Sequence, residues 1–236
     1  MPPSTKPKDP VVLSYLALRR AVGFVAVGLS FAVAIPWYAL HQAFQTSISS
    51  YYYTGMRNLF VGSLCAIATF MFCTRGYDRS DEISGIFSSI CAFVVAFFPT
   101  PPNCPTSRQT HIGWVHYTAA ALLFSTLAFF CLVLFKRSAA PNPTRKKKQR
   151  NLVYTICGIA ILASIVLLFF IDKVLHTERL IGPIGTAFTF ETISLWAFGI
   201  AWLVKGEAFL KDEVAQPRET VTADTLLLAT PPTRQV

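Results

Sequence analysis

Charge is scarce in this chain. Asp, Glu, Lys and Arg together make up 14% of its 236 residues, against about 25% in an ordinary soluble domain. With 53% apolar residues, 20 Phe and a mean hydropathy of +0.48, a soluble fold would leave apolar surface that nothing polar could cover. Histidines number only 4 and acidic residues 12. No Cys-x-x-Cys pair occurs among the 6 cysteines, which removes the thioredoxin-like and zinc-ribbon patterns. Also missing are a G-x-S-x-G elbow, a P-loop and a G-x-G-x-x-G turn, so no standard nucleophile or nucleotide signature is present. No repeat of fixed period is visible, and the two halves do not support an inverted-repeat transporter.

What the chain does contain is six long apolar runs, at residues 21–40, 57–74, 83–98, 112–135, 151–171 and 184–204. A helix rising about 1.5 Å per residue crosses a hydrocarbon core of about 30 Å in some 20 residues, and the runs approach that length. Helices satisfy their backbone groups within one segment, as lipid requires. An outer-membrane barrel would instead alternate apolar and polar residues, and the run from Ile161 to Ile171 does not. The expected fold is therefore all-α: a polytopic membrane protein forming a six-helix transmembrane bundle. Its domain limits are a tail at 1–20, the membrane domain at 21–206 and a second tail at 207–236. The third run closes at Pro99, and its start moves towards Asp78 if that carboxylate caps the helix.

The basic residues alternate from one connection to the next. Seventeen of the 21 Lys and Arg fall in the two tails and in the second and fourth connections. Only Arg57, Arg108, Lys173 and Arg179 fall on the other side. The positive-inside bias then predicts a cell-membrane protein with both termini cytoplasmic. It also explains the net charge of +9, and the Lys146 to Lys148 run reads as a topology determinant touching anionic lipid rather than a nucleic-acid patch. No cleavable signal peptide is expected, because the first run is long and lacks a small-residue cleavage site. Cys65, Cys73, Cys91, Cys131 and Cys157 lie in or at the ends of runs, so no disulfide framework is expected.

Polar residues in such a chain are costly and are the natural site candidates. The stretch from Ser47 to Asn58 carries three consecutive tyrosines, Thr54, Arg57 and Asn58 at the start of the second run. Tyr52, Tyr53, Arg57 and Asn58 are the ligand candidates there, against the plainer reading of an interfacial aromatic belt with a snorkelling Arg. His116 lies about 6 Å, and Glu191 about 10 Å, inside the membrane on the same side, counting about 1.5 Å per residue. Arg57, His116 and Glu191 are therefore expected to meet if their helices are neighbours, with a structural ion pair as the alternative to a binding site. Arg75, Tyr77 and Asp78 form a second group in a tight, charge-balanced connection, either a turn with helix-capping acids or a docking loop. No metal site is expected: His111 and His116 sit about 140° apart around a helix, and all four histidines fall near one side, which disfavours a haem pair. No cofactor is expected.

The strings SISSYYYTGMRNLFVG, RGYD, VAFFPT and AFGIAWLVKG resemble those of a family of bacterial six-span membrane proteins described as a domain of unknown function, over about residues 45–206. The resemblance implies an inner-membrane six-helix bundle. It also points to Tyr52, Tyr53, Thr54, Arg57, Asn58, Arg75, Tyr77, Asp78, Glu191 and Lys205 as positions that match the family pattern, but it supplies no activity. The functional expectation is a protein that binds or moves a small molecule or lipid through a polar pocket in the outer half of the membrane, with membrane lipids as partners and no nucleic acid. The alternatives are an intramembrane enzyme acting on a lipid head group, with His116 and Glu191 as acid and base, and an assembly partner that packs through small residues.

Overall fold

The computed structural model describes residues 10–73, 78–137, 144–171 and 183–210. Six helices account for most of them: α1 (Pro10–His41), α2 (Arg57–Cys73), α3 (Arg79–Phe97), α4 (Ser107–Leu132), α5 (Arg145–Phe170) and α6 (Thr186–Lys205). Each helix packs against the next, and α6 returns to α1 to close the ring. We call the end where α1, α3 and α5 begin the proximal pole, and the end where α2, α4 and α6 begin the distal pole.

Five of these helices are long and apolar enough to cross a membrane, and the apolar α2 is shorter at 17 residues. Large hydrophobic side chains also line the outside. Phe24 on α1, Ile90 on α3 and Ile156, Val166 and Phe169 on α5 are all exposed, while Val22, Ala92 and Ile161 on the same helices are buried. A helix that is apolar both inwards and outwards belongs in lipid, and the chain is a multi-pass helical membrane bundle.

The helix starts follow local chemistry. Asp78 caps α3 by accepting from the Asp81 N–H at 3.1 Å, so the third helix begins earlier than residue 83. Thr106 and Gln109 form a capping box on α4, and Thr144 caps α5 through the Lys147 N–H at 3.1 Å. The first helix extends beyond the apolar run that begins at residue 21. It reaches back to Pro10, because Leu16 and Arg19 are buried against the bundle and hold that stretch helical. Residues 1–9 and 211–236 of the expected tails, 1–20 and 207–236, lie outside the described residues, as do Arg75 and Tyr77.

Small residues set the closest helix contact. A Cβ added at Gly23 would come within 2.8 Å of the Gly199 carbonyl oxygen, and one at Gly199 within 2.8 Å of the Gly23 oxygen, so α1 and α6 touch backbone to backbone. That contact holds α6, and with it Glu191 and Lys205, against the start of the chain.

Candidate functional site

The connection from α1 to α2 folds into the distal pole instead of looping away from it. Its serines explain the shape: Ser47 Oγ accepts from the Ser50 N–H at 2.9 Å and lies 2.6 Å from Ser50 Oγ, so side chains close a turn that leads into a 3₁₀ segment, Ser49–Tyr53. Successive side chains of a 3₁₀ helix turn by about 120°, which sends the three tyrosines three ways. Tyr51 is fully buried, Tyr52 is half-buried, and Tyr53 is half exposed with its hydroxyl donating to the Thr100 carbonyl at 2.6 Å. Burial keeps the Tyr51 and Tyr53 hydroxyls above the usual phenol range, so both remain neutral donors at physiological pH.

Two ionisable side chains from different helices grip adjacent residues of this connection. Glu191, from the second turn of α6, accepts the Ile48 backbone N–H at 2.6 Å, and the backbone of Ser49 also faces its carboxylate. His116, from α4, contacts the Phe98 carbonyl through Nδ1 at 2.6 Å and Ser49 Oγ through Nε2 at 3.1 Å. A carbonyl can only accept, so Nδ1 carries the proton and Nε2 is the acceptor for the Ser49 hydroxyl. His116 and Ser49 are both buried. Behind them the approach is close: a Cβ on Gly185 would lie 2.1 Å from the Thr46 carbonyl oxygen, which accepts from the Phe188 N–H at 2.9 Å. Gly185 is needed because only a missing side chain lets α6 begin against residue 46.

The structure thus brings Glu191 and His116 to one short segment, but it does not bring Arg57 to them. Arg57 is exposed, hydrogen-bonds the Tyr52 hydroxyl and lies 4.1 Å over the Tyr52 ring. The expected meeting of Arg57 with Glu191 is corrected on this point, since α2 starts on the outward side of the 3₁₀ segment. Asn58 is exposed beside it. Thr54 instead holds the turn into α2, donating to the Tyr51 carbonyl at 2.8 Å and accepting from the Met56 N–H at 3.1 Å. Arg57→Ala is accordingly expected to cost less than about 1 kcal/mol in detergent unfolding, the range of an exposed cation–π pair, and to add to Glu191→Gln rather than couple with it. A coupling well above 0.5 kcal/mol would place the two in one network.

At the proximal pole Asp78 is a cap and an ion-pair partner of Arg137, which accounts for it structurally. No group of three or more His, Cys, Asp or Glu poised to hold a metal occurs among the described residues. Reasoning from residue types missed Ser49 and the Ile48 N–H, which complete the distal cluster. The available signal was the run of three serines in four residues before the tyrosines, which marks a side-chain-closed turn. No family model matches the chain, and no curated protein and no solved structure matches it either.

Proposed function

We infer that this is a six-span protein that binds a small molecule or lipid head group at its distal pole. The observation that carries this reading is the convergence of Glu191 and His116 on Ile48 and Ser49. Ionisable groups inside an apolar bundle are expensive, and here two of them hold one connection in place. That connection carries Tyr52 and leads directly to Arg57 and Asn58, so the clamp sets where a cation, a phenol and an amide stand at the rim. Such a rim suits an anionic or hydroxyl-bearing head group. A chain of six spans needs α2 to cross, and its 17 residues span about 25 Å, enough where the bilayer thins locally or flanking residues snorkel. The basic bias puts the distal pole outside and both termini in the cytoplasm, and the family resemblance adds a bacterial inner membrane.

A second reading rests on the Ser49 to His116 hydrogen bond. With Nδ1 tied to Phe98, His116 Nε2 is oriented to take the Ser49 proton, the arrangement of a nucleophile, its base and a group that orients the base. This favours a hydrolase acting on a lipid head group, reached when the connection opens. Mass analysis of lipids and solutes that copurify with the protein separates the readings. A retained ligand supports binding, while turnover of added lipid with phosphonate labelling of Ser49 supports the enzyme. Neither result supports an assembly role.

Orientation has its own test in two exposed cysteines at opposite poles, Cys73 at the end of α2 and Cys104 before α4. A membrane-impermeant maleimide added to intact cells should label Cys104 and spare Cys73 until the membrane is opened. Labelling of Cys73 alone would invert the topology.

A further inference from the structure

Snorkelling stretches a long cationic side chain towards water, but Arg57 is folded back onto the rim of the distal pole. Its guanidinium lies 4.1 Å over the Tyr52 ring, hydrogen-bonds the Tyr52 hydroxyl and acts by its charge on Tyr53, while the residue stays exposed. The hydroxyl takes one of five N–H donors, which leaves the rest of the planar fork available. Among the described residues the distal pole holds one carboxylate, Glu191, and that group is turned to the Ile48 N–H. Arg57 is therefore a fixed cation that no described acid neutralises, with the exposed Asn58 beside it as a further donor.

The helix that Arg57 begins carries a notch. Gly23, Gly113, Gly158 and Gly199 serve packing within the chain, since a Cβ added at any of them would meet another atom at 2.6 Å or less. A Cβ at Gly62 would meet nothing within 4 Å, and the residue is exposed. Glycine weakens a helix, so Gly62 costs stability without making a close contact inside the chain. It lies four residues after Asn58 and three after the exposed Leu59, on one face of α2. At about 1.5 Å per residue it sits about 7 Å deeper than Arg57, and one head-group layer is about 5–7 Å thick. A cation at the phosphate level and a notch where acyl chain begins match the two ends of one lipid head group.

We propose that the exposed face at the start of α2 binds one phospholipid of the distal leaflet, with its phosphate on Arg57 and Asn58 and an acyl chain over Leu59 and Gly62. The inference rests on the six-span reading and on ligand binding at the distal pole, and it names the ligand as a phosphate ester of a lipid. Two N–H groups of one guanidinium match two phosphate oxygens. Tyr52 is a positioning residue: its ring and hydroxyl fix the guanidinium before the lipid arrives, so less freedom is lost on binding. A lipid without phosphate gives Arg57 no counter-charge.

The test uses the full-length protein in detergent, stripped of lipid and titrated with phosphatidylglycerol and with diacylglycerol of the same acyl chains, with bound lipid counted by native mass measurement. The expected result is about one phosphatidylglycerol per chain and about tenfold weaker binding of diacylglycerol. Arg57→Gln should weaken phosphatidylglycerol binding about tenfold, Arg57→Lys should restore only part of it, and Arg108→Gln at the same pole should leave it unchanged. Tyr52→Phe, which keeps the ring, should bind more tightly than Tyr52→Leu. Gly62→Leu fills the notch, so it should weaken binding while the melting temperature holds or rises. If Arg57→Gln fails to fold, the preference for phosphatidylglycerol over diacylglycerol on the unaltered protein decides the matter. Equal binding of the two lipids, or binding unchanged in both Arg57→Gln and Gly62→Leu, would overturn the proposal, and the wider distal reading would still stand if Glu191→Gln lost a ligand. A rise in melting temperature with inorganic phosphate that matches the rise with phosphatidylglycerol would overturn it too, because the acyl chain would then contribute nothing. No lipid or solute bound at all would overturn both readings.

Discussion

Glu191→Ala should lower the unfolding free energy in detergent by about 1–3 kcal/mol, while Glu191→Gln should recover most of that loss. The carboxylate accepts the Ile48 N–H at 2.6 Å, and Ala leaves that donor without its acceptor. A buried donor stripped of its partner costs more than the hydrogen bond gained in folding, because its desolvation is no longer offset. Gln keeps an acceptor oxygen at nearly the same reach and removes only the charge. The pair of variants therefore separates two tasks of one side chain: Ala reports on the clamp, and Gln reports on what the charge does for a ligand. Equal stability of wild type and Glu191→Ala would mean that the connection is held by its own serines.

His116→Ala should be at least as costly, about 2–4 kcal/mol, since it breaks two contacts and leaves a cavity where a buried ring stood. The ring joins two connections, Ser49 before α2 and Phe98 after α3, so its loss should loosen both. Hydrogen exchange should then quicken in the segments around residues 46–54 and 98–101 together. His116→Asn, which can still donate to the Phe98 carbonyl, should restore protection of the second segment more than of the first. Because Glu191 and His116 hold neighbouring residues, the double change Glu191→Ala/His116→Ala should cost less than the two single changes added, by at least about 0.5 kcal/mol. Strict additivity would mean that the two side chains act on separate elements.

Much of this was legible from residues alone. The apolar runs located the six α-helices among the described residues, and the acid at Asp78 announced the true start of α3, because helix caps are local and depend on residues a few positions apart. Glu191 and His116 stood out for a similar reason: depth along a helix can be counted, and both fell on one side. The position of Arg57 was not legible. It depends on the three tyrosines adopting a 3₁₀ turn, which rotates the chain enough to start α2 with Arg57 outside the cluster. The role of Ser49 rests on a contact with His116 across 67 residues, which no local pattern marks among so many serines. At the proximal pole the basic run was read as one feature. The structure divides it, with Lys147 and Arg150 turned inward and Lys148 exposed, because a helix assigns neighbours in sequence to different faces.

The central claim is that Glu191 and His116 clamp the connection to α2 so that the distal pole holds a ligand. The most direct measurement is the amount of copurified lipid or solute per folded chain, by native mass measurement, in wild type, Glu191→Gln and His116→Asn. The account predicts a defined ligand on the wild type that falls about tenfold in each variant, while both variants still elute at the size of the wild type. Equal occupancy in all three proteins, or no ligand on the wild type, would contradict it.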